Sequence, residues 1–249
     1  MDTTNTTPVR FMMVADIHNS GTDGLDPAGC DAAIVAGDFK FHGWSSCHEE
    51  WKDKVNDDPF FKWCNGHPKL PVFLIPGNHD RVVERCPDWV KWPKNVVRLD
   101  AANGAVEFRG LKIWGAPWSL EHSRGSVYSC SEDDLAEKFS AMPEGLDVLV
   151  LHCPPKLTDA EGGADKDVGD TGAHFGSESI RKAVLAKKPR LVVCGHIHQG
   201  TREPAKLGET IVVNAGRVRH KSDKAPSFSP AYVTFNPGGT LDVTPAKRL

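Results

Sequence analysis

Val72-Phe73-Leu74-Ile75-Pro76-Gly77-Asn78-His79-Asp80 decides how the rest of the chain is organised. Its opening apolar run is expected to be a buried strand, because a continuous apolar run suits a sheet covered on both faces. Pro76 and Gly77 end that strand and turn the backbone sharply. Three polar side chains follow at once. Asn78 offers a neutral amide oxygen to a metal. His79 can donate or accept a proton near neutral pH. Asp80 can hold an imidazole in one orientation.

An apolar run that ends in polar residues recurs on both sides of this stretch. Residues 9–15 lead into Asp16-Ile17-His18, residues 32–36 into Gly37-Asp38, residues 147–151 into His152-Cys153-Pro154-Pro155, and residues 191–194 into Gly195-His196-Ile197-His198. Residues i and i+2 of an extended chain project to one face. Asp16 and His18 are therefore expected to point at one spot, as are His196 and His198. Gly37 permits close backbone approach, and Asp38 is the first polar group past its strand. In open α/β sheets, sites form beyond the carboxyl ends of the strands, so the five ends are expected to converge.

The segments between these runs carry weaker signals. Ser131-Glu132-Asp133-Asp134 begins a helix, with Ser131 as cap and the acids in its first turn. Residues 177–188 read as a second helix, and part of 42–63 as a surface helix. Residues 96–99, 106–109 and 112–114 read as short strands. Residues 231–235 and 240–243 read as a closing hairpin over Pro237-Gly238-Gly239. The segments 119–129 and 156–176 read as loops, and the second is long enough to be functional or mobile.

Composition narrows the class. The chain has 249 residues, 39% hydrophobic and 25% charged, which suits a globular α/β protein with a sizeable core. Lys+Arg 30 against Asp+Glu 33 gives a net charge of -3. Long nucleic acid is therefore not expected as a partner, since phosphate tracking needs a basic surface. No apolar stretch is long enough to span a bilayer, so no membrane association is expected. Residues 1–8 are rich in Thr and Asn, lack the charged start and apolar middle of a secretory signal, and are expected to be disordered. Residues 9–249 show no repeat and no linker and are expected to form one domain. The seven cysteines, Cys30, Cys47, Cys64, Cys86, Cys130, Cys153 and Cys194, include no Cys-x-x-Cys. They are expected to be reduced thiols in a cytoplasmic protein.

The polar groups at the five strand ends are Asp, Asn and His, with no Cys among them. Mixed oxygen and nitrogen ligands suit Mn, Fe or Zn, and the lack of thiolate argues against a closed structural zinc site. Two adjacent ions would need a shared carboxylate, and Asp38 stands where such a bridge is wanted.

Asp16-Ile17-His18, Gly37-Asp38, Gly77-Asn78-His79-Asp80, His152 and Gly195-His196-Ile197-His198 resemble the signature blocks of the calcineurin-like metallophosphoesterases. The resemblance runs from about residue 9 to 216, with the blocks intact and in order. It implies a four-layer α/β/β/α sandwich of two mixed sheets, with a site for two divalent or trivalent metal ions at the strand C-terminal ends. It implies that Asp16, His18 and His198 bind one metal, that Asn78, His152 and His196 bind the other, and that Asp38 bridges both. His79 would contact the leaving group, with Asp80 orienting it. A narrower likeness, in Gly115-Ala116-Pro117-Trp118, His152-Cys153-Pro154-Pro155 and the run from Cys194 to Gly200, is to metallophosphoesterase-domain-containing proteins, which resemble class III cyclic-nucleotide phosphodiesterases.

The resemblance implies a phosphodiesterase acting on small phosphodiesters, cyclic nucleotides foremost. Metals would lower the pKa of a water between them, which then attacks phosphorus in line. The same fold serves phosphomonoesterases, pyrophosphatases and metal-binding interaction scaffolds. A protein Ser/Thr phosphatase fits less well, because Phe39-Lys40 and Pro76 stand where that group has other residues. His122 and His174 lie in the two loops expected to rim the site. Trp118 is a packing aromatic that could also stack on a base. These three are the candidate substrate contacts.

Overall fold

The continuous apolar runs become the central strands of two sheets. The structure is a computed structural model that describes residues 7–18, 21–39, 47, 49, 52–121, 125–167, 171–217 and 228–248. In chain order the elements are β1 (Val9–Val14), β2 (Ala32–Ala36), α1 (Pro59–Gly66), β3 (Val72–Ile75), α2 (Arg81–Arg85), β4 (Val96–Arg98), β5 (Val106–Phe108) and β6 (Leu111–Ala116). There follow β7 (Ser119–Leu120), β8 (Ser129–Cys130), α3 (Glu132–Ser140), β9 (Val148–Leu151), α4 (Glu178–Lys187), β10 (Leu191–Cys194), β11 (Ala205–Leu207) and β12 (Thr210–Asn214). The last are β13 (Phe228–Ser229), β14 (Ala231–Phe235), β15 (Leu241–Thr244) and β16 (Lys247–Arg248).

One six-stranded sheet has the order β15-β14-β1-β2-β3-β4, the other β11-β12-β10-β9-β6-β5. Strands β1 to β4 run parallel, as do β12, β10, β9 and β6, while β14, β15, β11 and β5 pair antiparallel at the edges. Both sheets are therefore mixed.

Alternation along each strand divides the core into three apolar layers. Phe11, Met13, Ile34, Phe73 and Ile75 meet Ile113, Val148, Val150, Leu191 and Val193 between the sheets. Met12, Val14, Val35 and Leu74 turn outward onto Phe60, Phe61 and Cys64 of α1 and Val82 and Val83 of α2. Trp114, Leu149, Leu151 and Val192 turn outward onto Leu135 and Phe139 of α3 and Ile180 and Val184 of α4. The result is the four-layer sandwich that the motif resemblance implies. Each fully buried aliphatic side chain adds roughly 1.5–3 kcal/mol to holding the layers together.

Local signals set the helix starts. Asp58 accepts from Phe60 N ahead of Pro59 in the first turn of α1. Ser131 and Asp134 form a capping box on α3. Ser177 caps α4 through Ile180 N, and Lys188 closes that helix in the left-handed region. The hairpin read over residues 231–243 is β14 and β15. Helix α2, which begins directly after Asp80, was not among the sequence expectations. Of the helix expected within 42–63, the described part consists of a 3-10 turn, Asp53–Asn56, and the first turns of α1; residues 40–46, 48 and 50–51 lie outside the described residues, as do residues 1–6 of the expected disordered segment.

The cysteine expectation needs correction. Cys47 and Cys86 form a disulfide, with Cα atoms 6.2 Å apart and a sequence separation of 39. Their pairing depends on how the chain folds back beside α2, which spacing alone does not encode. Cys30, Cys64, Cys130, Cys153 and Cys194 are free thiols as expected. A disulfide belongs to an oxidising compartment, so cysteine usage no longer argues for a cytoplasmic location. No helix among the described residues is long and apolar enough to cross a membrane.

Candidate metal centre

Five strand ends meet at one edge of the sandwich. Asp16 and His18 follow β1, Asp38 follows β2, Asn78 and His79 follow β3, His152 follows β9, and His196 and His198 follow β10. The backbone there is not extended. Asp16 (φ 55), His18 (φ 46), Asp38 (φ 52) and His196 (φ 69) occupy the left-handed region, four of the seven non-glycine residues described with positive φ. Such conformations cost on the order of 1–3 kcal/mol each and persist where surrounding structure enforces them. The extended-chain argument for Asp16 with His18 and for His196 with His198 therefore fails in its premise. The side chains are brought together by coiled backbone, held by bonds from Asp16 N to Gly37 O at 3.0 Å and from His18 N to Asp38 O at 3.0 Å.

The polar groups form two facing sets that share Asp38. In the first, His198 Nε2 lies 3.3 Å from Asp16 Oδ1 and 3.3 Å from His18 Nε2. In the second, Asn78 Oδ1 lies 2.8 Å from His152 Nε2 and 2.9 Å from His196 Nδ1. Asp38 Oδ1 accepts from His79 N at 2.8 Å, while its Oδ2 lies 3.6 Å from His18 Nε2 and 3.4 Å from His152 Nε2. The second oxygen of Asp38 thus stands between the sets. Ligand-capable atoms of Asp16, His18 and His198 cluster closely, as do those of Asp16, Asp38 and His152.

The donor set fits a cation. Asp16, Asp38, Asn78 and His152 are essentially fully buried, and buried carboxylates need positive charge nearby. His152 Nδ1 lies 2.9 Å from the Ala36 carbonyl, so that nitrogen carries the proton and donates. In the neutral ring Nε2 then presents a lone pair toward Asn78 Oδ1, which is itself an acceptor because the Asn78 amide nitrogen is turned to Ser126 Oγ. Lone pairs facing at such a distance repel unless a proton or a metal ion lies between them. His18 Nε2 and His198 Nε2 also face each other, 3.3 Å apart.

Electrostatics show the same demand. Burial would raise the Asp16 carboxyl, but the charge and hydrogen bond of His198 bring it down to about 2. Burial opposes ionisation of Asp38 too, yet the neighbouring His152, His18 and His79 hold it well below the usual carboxylate range. Burial favours the neutral form of His152, and the Asp38 carboxylate overrides this, lifting the imidazole to about 9. The proton His152 gains takes the part a cation would play. The nearby thiols do not compete as ligands. Cys153 and Cys194 pack into the outer apolar layer, and burial pushes the Cys153 thiol up to about 12.

Two small features set the spacing. A Cβ on Gly77 would collide with Asp38 Oδ1 and lie 2.6 Å from Asp38 N, so only glycine lets the β3 turn approach the β2 turn. Asp80 Oδ2 accepts from Gly77 N at 2.7 Å and from Asp38 N at 2.8 Å, pinning those two turns to each other. This is a role beyond the orienting one implied for Asp80 by the motif.

Above the ligands lies a cavity of about 490 Å³, lined by Asp38, Asn78, His79, His196 and His198 at its floor and by Leu120, Glu121, Asp167, Phe175, Ile197 and Gln199 at its walls. Two of the candidate substrate contacts are placed elsewhere. Trp118 packs edge-on to Phe139 with Lys138 Nζ 4.5 Å from its ring centre, and it does not line the cavity. His174 is bonded to Asp165 Oδ1 at 2.7 Å and to Asp159 Oδ1 at 3.1 Å, inside its own loop. His122 lies outside the described residues.

A family model described as calcineurin-like phosphoesterase matches residues 9–200, the span that carries every candidate ligand. The chain belongs to the calcineurin-like phosphoesterases. It is 29% identical to metallophosphoesterase domain-containing protein 1 of Homo sapiens over 231 residues, covering 83% of this chain and 65% of that protein. The chain thus spans slightly less than two-thirds of that relative's length. It is 33% identical to UPF0046 protein C25E10.12 of Caenorhabditis elegans over 234 residues, covering 86% of this chain and 76% of that protein. Among solved structures, TT1561 of Thermus thermophilus matches with a TM-score of 0.57 at 12% identity, covering 96% of this chain and 99% of that one. That likeness speaks for the fold.

The calcineurin-like phosphoesterases are, as a family, hydrolases that use divalent metals. The wall residues of this phosphoesterase cavity were missed in the sequence. Leu120 ends the two-residue strand β7, and Glu121, Asp167 and Phe175 sit on loops, all without a periodic signal, so only their closeness to His122 and His174 in sequence pointed to them.

Proposed function

We propose that the chain is a two-metal phosphodiesterase of small, singly charged diesters, with cyclic nucleotides as the leading physiological class. The observation that carries this reading is the convergence of Asp16, His18, Asp38, Asn78, His152, His196 and His198 beneath a cavity whose described lining contains no Lys or Arg. Asp16, His18 and His198 would hold one ion, Asn78, His152 and His196 the other, with Asp38 shared. Bound there, the ions supply Lewis acidity toward phosphate oxygens and a more acidic water. His79, at the cavity floor, stands where a leaving oxygen needs a proton, and the Asp38 carboxylate fixes it by accepting its backbone N–H.

Charge supports a diester over a monoester. A monoester dianion is usually met by nearby arginines, whereas Glu121 and Asp167 present acids to this cavity. Arg81 packs against Gly125 and does not line it. The test compares kcat/KM with Mn for a bis-aryl phosphate, a mono-aryl phosphate, 3′,5′- and 2′,3′-cyclic nucleotides and a single-stranded oligonucleotide. A diester is expected to win. A higher value for the monoester or the oligonucleotide refutes the reading. Folded protein that retains no metal would leave an interaction scaffold instead.

A further inference from the structure

Phe175 is 48% exposed, and among the described residues only Leu185 is another large hydrophobic left so open. Leu185 lies on the outer surface of α4. Phe175 instead lines the cavity above the metal ligands, together with Leu120 and Ile197. Leaving a phenyl ring in water forgoes the stabilisation that burying it would bring, so its position calls for a reason.

The backbone around Phe175 is fixed. Its own N–H donates to Asp165 O at 2.9 Å. The flanking residues grip the Asp165 carboxylate, His174 Nδ1 at Oδ1 and Gly176 N at Oδ2, 2.7 and 3.1 Å away. Asp165 is fully buried and also accepts from Leu157 N at 3.0 Å. Gly176 presses on the Pro155 carbonyl so closely that a Cβ would collide with it, and Lys156 N to Ser177 O and Ser177 N to Pro154 O, at 2.9 and 3.0 Å, lock that contact. A buried carboxylate and a glycine contact thus present an exposed ring at the cavity mouth. Rigid loop aromatics with one face open are what flat organic groups stack on.

We propose that Phe175 is the specificity-determining residue of the cavity, a shelf that stacks a flat aromatic group attached to the phosphate ester. Glu121 on the neighbouring wall disfavours a negative charge on that group. The inference rests on the diester reading for the form of its probes, and it deepens that reading by naming the organic half of the substrate.

Binding rather than turnover tests it. Methyl phenylphosphonate and methyl methylphosphonate are both singly charged and differ in the aromatic group. Titrated into Mn-loaded protein by calorimetry, the phenyl probe is expected to bind about five- to tenfold more tightly. Phe175→Ala should abolish that preference and leave the methyl probe's affinity unchanged, and Phe175→Trp should keep it. Equal affinities in the native protein overturn the proposal. So does a preference that survives in Phe175→Ala, or an equal loss for both probes, which would make Phe175 structural. The same pair run as doubly charged phenyl- and methylphosphonate separates the two readings. If monoesters prove the better substrates while the phenyl preference persists and depends on Phe175, the diester reading falls and the shelf stands.

Discussion

Asp80 Oδ2 accepts the backbone N–H of Asp38 at 2.8 Å, across 42 residues of sequence. The same oxygen accepts from Gly77 N, so one buried carboxylate sets the distance between the turn that carries Asp38 and the turn that carries Asn78 and His79. Removing it leaves two buried N–H groups without partners, at about 1–3 kcal/mol each. Asp80→Ala is expected to lower the melting temperature and to weaken Mn binding roughly 10–100-fold, the usual effect of losing a group that orients ligands. Asp80→Asn keeps an acceptor oxygen and should keep most of both. Wild-type Mn affinity in a titration of Asp80→Ala would show that the pin does not set the ligand geometry.

Asp38 and His79 are neighbours joined by one hydrogen bond, from His79 N to Asp38 Oδ1, yet their removal should have different consequences. Asp38→Ala takes away the oxygen that faces both ligand sets and is expected to lose both ions and essentially all activity. His79→Ala should retain its metals and lose rate, typically ~10²–10⁴-fold for a proton donor. That loss should shrink on substrates with good leaving groups. Metal analysis beside a leaving-group series checks both, and equal damage across the series would remove His79 as the acid.

The positions of the candidate ligands were legible because the strands that carry them are buried on both faces. Such strands are continuous apolar runs, and the first polar residue after each run is visible without any knowledge of pairing. Residues 72–75 followed by Asn78 and residues 191–194 followed by His196 are read this way. How Asp16 and His18 converge was not legible, because left-handed backbone at non-glycine residues has no sequence signature. Trp118 and His174 show the limit on the loops. Each has a plausible ring for a ligand, and each is engaged in local packing, Trp118 beneath Lys138 and His174 between two carboxylates. Phe175, the neighbour of His174, faces the cavity instead. One residue of offset in an aperiodic loop reverses which side chain faces the cavity, and nothing in composition resolves it. The Cys47–Cys86 pair was hidden for a related reason, since disulfide pairing follows the path of intervening chain.

His174 gives the loop a pH dependence of defined sign. Burial disfavours its charged form, but hydrogen bonds to Asp165 and Asp159 outweigh burial and raise its pKa above 6.5. A raised folded-state pKa means that the protonated ring stabilises the fold. That contribution is complete below about 6.5, the unfolded value, and fades as pH rises through the higher folded value. The difference in melting temperature between native protein and His174→Gln should therefore be larger at about pH 5.5 than at about pH 8.5. A difference that is constant, or that grows with pH, would contradict the sign.

Arg202 carries the last expectation. It is 7% exposed, and its Nη1 and Nη2 donate to the carbonyls of Gly200 and His198, each at 2.8 Å. Burial pulls the guanidinium down to about 10, with the Asp16 carboxylate opposing, so the group remains charged at neutral pH. A buried cation is costly unless something nearby requires it. Here it ties down the turn that presents His198 and adds positive charge on the Asp16 side. His198 stands with Asp16 and His18, whereas Asn78, His152 and His196 form the other set. Arg202→Gln should therefore act unequally, weakening one ion by about 10–100-fold and sparing the other. At a Mn concentration that just fills the native protein with two ions per chain, the variant is expected to hold one. Arg202→Lys keeps the charge, but a single ammonium cannot span both carbonyls as the guanidinium does, so recovery should be partial. The measurement is Mn stoichiometry across a concentration series, with melting temperature as a control for folding. Equal weakening of both ions, with the fold intact, would mean that Arg202 supports the whole edge of the sandwich rather than the His198 turn.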